Sequence, residues 1–205
     1  MQNNILKGAN NPLENAFVGA NNFLSTLFIY KGETKMGFFV KHKLRKLFRK
    51  SFKEIKKLYT YQSPGAWADT EIYASLYVIF DFFAFLHNKR EIVATAIAPL
   101  YIDLTNDTHE YVISRLEFYN EFLRHKQPRC DFAPNEKEEV KNPISRVSMA
   151  LTDIISNPDL LNDYDTSPMQ LCGLAEGFIC TAAAMAIVSI SQKIDSEMQS
   201  IFPKK

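Results

Sequence analysis

Residues 40–59 read Val40-Lys-His-Lys-Leu-Arg-Lys-Leu-Phe-Arg-Lys-Ser-Phe-Lys-Glu-Ile-Lys-Lys-Leu-Tyr59. When successive residues are placed about 100° apart, as in an α-helix, the apolar side chains fall on one side and the cations on the other. The apolar side consists of Val40, Leu44, Leu47, Phe48, Phe52, Ile55, Leu58 and Tyr59. The stretch therefore predicts an amphipathic helix over about 36–60 that packs its apolar side onto the rest of the fold.

The same helical period continues on both sides of this stretch, and we find no convincing run of period-two alternation. Asn11-Pro12, Ser63-Pro64, Asn142-Pro143 and Ser167-Pro168 each place a capping residue before a proline, which is typical of a helix start. Asp107-Thr-His-Glu110 has the spacing of a capping box, with Asp107 as the cap. The predicted helices cover about 12–30, 36–60, 64–88, 89 to Pro99, 107–126, 143–156 and 168–201, with loops at about 127–142 and 157–167.

Helices joined mostly by short turns, with no strand pattern, predict an all-α bundle. At 205 residues the chain is long enough to bury a real core, and we expect residues 1–205 to form a single-domain bundle of six to seven helices. The long apolar C-terminal helix is expected at its centre, sheathed by the aromatic helices at 64–88 and 107–126. Seven glycines argue against both a turn-rich β architecture and a glycine-rich phosphate loop.

The cysteine content and the N-terminus favour a cytoplasmic protein. Cys130, Cys172 and Cys180 are three in number and contain no Cys-x-x-Cys pair, as expected for reduced thiols. Residues 1–7 lack the charged region and the continuous apolar core of a signal peptide.

Charge is distributed unevenly along the chain. Residues 35–60 hold ten Lys and Arg and one Glu, a local charge of +9 in a chain of net charge +1, so the remaining residues carry −8. We use the name basic face for the eight cations opposite the apolar side: Lys43, Arg45, Lys46, Arg49, Lys50, Lys53, Lys56 and Lys57. Several of them stand one helical turn apart, where like charges repel. A face of one sign is therefore unexpected unless something anionic offsets it.

Four interpretations of the basic face remain open at this point. The face is solvated, or is neutralised by the chain's own acids at 136–139 and 159–165. Alternatively it binds nucleic acid through the phosphates, an acidic protein surface, or an anionic membrane surface. Nucleic acid is the leading hypothesis among the partners. Under this hypothesis the chain is a non-enzymatic binding or regulatory protein, and we expect no cofactor.

Catalytic and metal-binding patterns were sought and do not form. His109-Glu110-Tyr-Val-Ile113 begins like a zinc-protease motif, but Ile113 stands where the second His is required. The stretch from Asp163 to Ser167 fails as a calcium loop, because the glycine and the terminal glutamate are missing. We therefore expect no metal site and lean towards a protein that is not an enzyme.

Two features of the predicted C-terminal helix need separate tests. Glu176 shares a helical face with Cys172 and Cys180, which makes these three residues a candidate buried polar site for a ligand or an enzyme reaction. Residues 171–190 are also long enough to span a membrane. Glu176 and the polar turns after Ser189 favour a core helix of a soluble bundle instead.

Overall fold

The fold is taken from a computed structural model, which describes residues 35–129, 140–167 and 174–203. Its α-helices are α1 (Lys35–Leu58), α2 (Trp67–Leu86), α3 (Arg90–Ile97), α4 (Tyr101–Leu104), α5 (His109–Arg124), α6 (Pro143–Ser156) and α7 (Leu174–Ile201). Short 3₁₀ segments occupy Thr60–Gln62, Ala98–Leu100 and Pro158–Leu161. The described residues contain no strand, which confirms the all-α prediction with its long apolar C-terminal helix. The predicted helix at 12–30 lies outside the described residues.

The most deeply placed helix is α2. Every residue from Thr70 to Phe80 is buried, and α2 contacts each of the other described α-helices. Its sequence explains this position, because apolar and aromatic side chains surround the helix on all sides and leave no polar face. The C-terminal helix α7 was expected in that place. It is buried along one side at Ile187, Ile194 and Met198, whereas Phe178 and Met185 are exposed.

Helix α1 packs as its amphipathic pattern predicts. Leu44, Phe48 and Ile55 have no exposed surface, and Phe48 contacts the rings of Tyr73 and Phe80 on α2. At its end, the Tyr59 hydroxyl forms a 2.9 Å hydrogen bond with Thr152 Oγ1 on α6. The apolar side of α1 is therefore packed on the core, and its opposite side is exposed to solvent.

Local signals located some helix ends and missed others. Helix α6 begins at Pro143 as predicted, with Asn142 Oδ1 accepting from the backbone N–H of Ile144 and Ser145. Helix α2 begins at Trp67 instead of Pro64, because Ser63 has left-handed backbone angles, with φ 45°, and ends the preceding 3₁₀ turn.

The predicted cap of α5 was wrong by one residue. Thr108 caps this helix, and its Oγ1 accepts a hydrogen bond from the backbone N–H of Tyr111. Asp107 instead accepts a hydrogen bond from Thr70 Oγ1 on α2. The side chain that fitted the capping pattern is therefore used to join two helices.

Candidate anion-binding face

The structure places all eight cations of the basic face on the side of α1 that points away from the core. Seven of them are exposed, and Arg45 is half-buried. The side chains are brought together by the helical repeat alone, because residues three, four and seven apart share one side of a helix. A rigid row of positive charge therefore lies along the surface of the bundle.

A groove of about 900 Å³ runs beside this row. One wall is α1, which contributes His42, Arg45, Lys46, Arg49, Lys50, Lys53, Glu54 and Lys57. The other wall comes from the 3₁₀ segment after α3, with Pro99 and Leu100, and from α4, with Ile102 and Asp103. Six of the eight cations of the basic face thus line the groove, all except Lys43 and Lys56, and two acids in the lining, Glu54 and Asp103, offset part of the positive charge.

Three cations of the basic face have partners within the fold. Arg45 Nε donates to the Ala96 carbonyl oxygen at 3.0 Å. Arg49 Nη2 lies 2.5 Å from Asp103 Oδ2, and Lys56 Nζ lies 2.6 Å from Asp69 Oδ1. Because Arg49 and Asp103 are each about half exposed, their pair contributes little to stability, on the order of 0–1 kcal/mol.

The other five cations are open. The side chains of Lys43, Lys46, Lys50, Lys53 and Lys57 form no hydrogen bond or ion pair with any described residue. These five lysines are called the open lysines below. They leave a local excess of positive charge that the described part of the chain does not pair.

The acidic loop expected to neutralise the basic face does not do so in the described contacts. Asp165 lies 3.0 Å from Lys126 Nζ, at the end of α5. Asp163 accepts hydrogen bonds from the backbone N–H of Asp165 and Thr166 and from the Thr166 hydroxyl, which lower its pKa. Asp69 and Asp103 provide the neutralisation that is present, and the acids at 136–139 lie outside the described residues.

The candidate polar site of Glu176, Cys172 and Cys180 stays a prediction, although Glu176 itself is exposed, in the first turn of α7. Cys180 is buried and its Sγ lies 3.0 Å from Ser156 Oγ, while Cys172 lies outside the described residues.

The most deeply buried carboxylate among the described residues is that of Glu71 on α2, which has no exposed surface. Arg115 Nε and Nη2 donate to its two oxygens at 2.7 and 2.8 Å, and the Tyr119 hydroxyl donates at 2.8 Å. Burial raises the pKa of Glu71, and the hydrogen bonds from Arg115 and Tyr119 lower it in part. This cluster joins α2 to α5 through groups that satisfy one another, as expected of a structural element.

The described residues form no candidate metal site, and one of their helices meets the length and composition of a membrane span. Across residues 35–129, 140–167 and 174–203, no three His, Cys, Asp or Glu side chains gather into a group able to hold a metal ion. One described helix, at Glu176–Ile201, is long and apolar enough to cross a membrane, and 39% of its apolar window is buried in the bundle. Length and composition of this kind also occur in core helices of soluble proteins.

Sequence reasoning missed the second wall of the groove, since no local signal connects Pro99 to Asp103 with a helix some fifty residues earlier. It also missed the exposed Phe38 and Phe39 on α1, although their positions on the helical wheel could be read from the sequence.

Comparison with known proteins adds nothing to these observations: no family model, no curated protein and no solved structure matches the chain. The molecule is an all-α bundle with an open cationic groove, and its function has to be argued from that groove.

Proposed function

We propose that this protein is a non-enzymatic binding protein that engages nucleic acid through the basic face of α1. The observation that carries the proposal is the set of open lysines, five charges on one rigid helical side with no partner in the described structure. Nucleic acid presents phosphates in a regular row, and such a row can contact several of these lysines at once.

The fold of α1 favours a polyanion over a membrane surface. A helix that lies in a bilayer interface buries its apolar side among the lipids. Here that side is committed to the core, with Leu44, Phe48 and Ile55 fully buried. What α1 presents to a partner is a cationic and concave surface, and a chain of phosphates fits it better than a flat bilayer does.

The expected binding is independent of sequence and sensitive to salt. Five phosphate contacts give a slope of log affinity against log salt of about −4.5 for duplex DNA and about −3.5 for a single strand. Between about 50 and about 200 mM salt, the affinity should then fall by roughly two orders of magnitude or more.

The decisive experiment measures binding of the full chain to labelled oligonucleotides over this salt series. The variant changes Lys46, Lys50 and Lys53 to Gln, three open lysines whose side chains hold nothing in the described fold. It should lose most of the affinity and reduce the salt slope by about 2–3. The single variants Lys50→Gln and Lys141→Gln form a matched pair. The first should weaken binding, and the second, an exposed lysine before α6, should not.

Two results would overturn the proposal. One is undetectable binding at about 50 mM salt, where an electrostatic interaction of this size is strongest. The other is binding that the triple variant does not change. Polyglutamate serves as the competing acidic polypeptide: if it binds the basic face and oligonucleotides do not, the partner is an acidic protein surface.

A further inference from the structure

Two aromatic side chains stand exposed at the N-terminal end of the basic face. Phe38 and Phe39 are 59% and 66% exposed, and their ring centroids lie 6.1 Å apart. A large apolar side chain that stays exposed gains none of the free energy that burial would give it. Exposed apolar side chains next to a charged groove therefore indicate a binding site.

The helical repeat places both rings on the basic face and not on the apolar side. At about 100° per residue, Phe38 falls in line with Arg49 and Lys56, and Phe39 falls in line with Lys57. One turn further along, His42 is the first residue of α1 that lines the groove. The two rings therefore lie about one helical turn before the first residue that lines the groove, in line with the row of open lysines.

We infer that the ligand of this groove is single-stranded nucleic acid and that Phe38 and Phe39 stack against its bases. This inference rests on the proposed function. In a single strand the flat faces of the bases are accessible, and aromatic side chains beside a cationic groove are the common means of binding them. In a duplex those faces are covered by neighbouring base pairs, so the two rings have nothing to stack on.

The shape of the groove agrees with a single strand. The groove, of about 900 Å³, lies between α1 and residues 99–103. Ile102 on this second wall is 67% exposed. A flexible strand can follow such a space with its phosphates on the open lysines, turning one base towards Ile102 and others onto Phe38 and Phe39 at the N-terminal end of α1. A stiff duplex can touch the rim, where it meets the exposed lysines but not the far wall.

The test compares a single strand of about 16 nucleotides with its own duplex, using the full chain. The double variant Phe38→Ala/Phe39→Ala should weaken binding to the single strand about tenfold or more and leave binding to the duplex within about twofold. The salt slope should not change, since no charge is removed. Phe178→Ala is the matched control, because Phe178 is 75% exposed but lies on α7, and it should have no effect.

Two conservative pairs separate stacking from general apolar contact. Phe38→Tyr/Phe39→Tyr keeps the aromatic faces and should retain single-strand binding, whereas Phe38→Leu/Phe39→Leu keeps apolar bulk and should lose it.

Each outcome is distinguishable. Equal losses on single strand and duplex, or no loss on either, overturn the inference and leave the proposed function standing. Failure of the wild-type chain to bind any oligonucleotide removes both. The last measurement is binding of the wild type and the Phe38→Ala/Phe39→Ala variant to vesicles of phosphatidylserine and phosphatidylcholine. If Phe38 and Phe39 are needed for vesicle binding and not for the single strand, the rings serve a membrane surface and the inference is wrong.

Discussion

Arg115 holds both carboxylate oxygens of Glu71 in a part of the core where Glu71 has no exposed surface and Arg115 has 8%. The two residues stand on different helices, α5 and α2, and Tyr119 completes the cluster with a hydrogen bond to Glu71 Oε2. A buried charge is tolerated only when it is paired, so this contact fixes how α5 lies against the central helix.

Removing one partner of the pair should be far more damaging than removing both. Glu71→Ala leaves the Arg115 guanidinium buried without a counter-charge, and we expect the free energy of unfolding to fall by about 3–5 kcal/mol. The double variant Glu71→Leu/Arg115→Met fills the space with apolar atoms and should recover most of the loss. Urea denaturation of the two variants and the wild type measures this, and a double variant no more stable than Glu71→Ala would contradict it.

The raised pKa of Glu71 makes stability depend on pH in a defined direction. The unfolded chain keeps the ordinary pKa of about 4.5, and burial raises the pKa in the folded state above it. The folded state therefore binds this proton more tightly, and the stabilisation is present below pH 4.5 and lost as the pH rises through the raised pKa. Glu71→Gln cannot titrate. We expect the stability of the wild type relative to Glu71→Gln to decrease as the pH rises, and denaturation curves that stay parallel over the series would exclude this.

Why the sequence pointed to Glu176 and not to Glu71 follows from the two helices. The apolar pattern of α2 surrounds the helix, so a helical wheel gives Glu71 no direction, and its partner is 44 residues further along the chain. Glu176 shares its side of α7 with Cys180 and Ile187, which are buried, but it stands in the first turn of the helix and is exposed there. A stripe shows which residues share a side, but tertiary packing decides which side is covered.

Features encoded within a few residues were predicted well. The course of α1 and the start of α6 at Pro143 depend on helical period and on a cap two or three residues away. The eight cations could be assigned to one side of α1 for the same reason. The groove beside them could not be predicted, because its second wall at Pro99 to Asp103 is brought there by packing between α1, α3 and α2.

Arg146 is a second buried cation, and its hydrogen bonds lead to a prediction about stability. The guanidinium of Arg146 on α6 donates to five carbonyl oxygens, three of them at the end of α5, namely Phe122, Leu123 and Arg124. Lysine has no planar fork and cannot reach all five, and each carbonyl left without a partner in the core costs about 1–3 kcal/mol. Arg146→Lys should therefore lower the free energy of unfolding by about 2 kcal/mol or more in urea denaturation. Arg124→Lys, an exposed change at the end of α5, should alter it by less than about 0.5 kcal/mol.

The exposed side of α7, where Phe178 and Met185 lie, can be tested by comparing substitutions at one exposed and one buried position of this helix. Met185 is 69% exposed and Ile187 is 1% exposed. Met185→Ser should change the free energy of unfolding by less than about 0.5 kcal/mol, since no buried contact is lost. Ile187→Ala removes buried atoms and should cost about 2–5 kcal/mol. A large loss from Met185→Ser in thermal or urea denaturation would mean that this side of α7 is covered in solution.

Asp103 is one of the two acids that line the cationic groove, and its removal is the change we expect to strengthen binding. It holds Arg49 in an exposed ion pair that adds little to stability, so Asp103→Asn should fold normally. The released Arg49 can then contact a phosphate. We expect tighter oligonucleotide binding at low salt and a salt slope steeper by about 0.7–0.9, measured by fluorescence anisotropy. The control is Asp165→Asn, which removes the exposed acid paired with Lys126 at the end of α5 and outside the groove. Binding should be unchanged in that control, and an Asp103→Asn variant that binds no better than the wild type would mean that the anionic ligand does not enter the groove at Arg49.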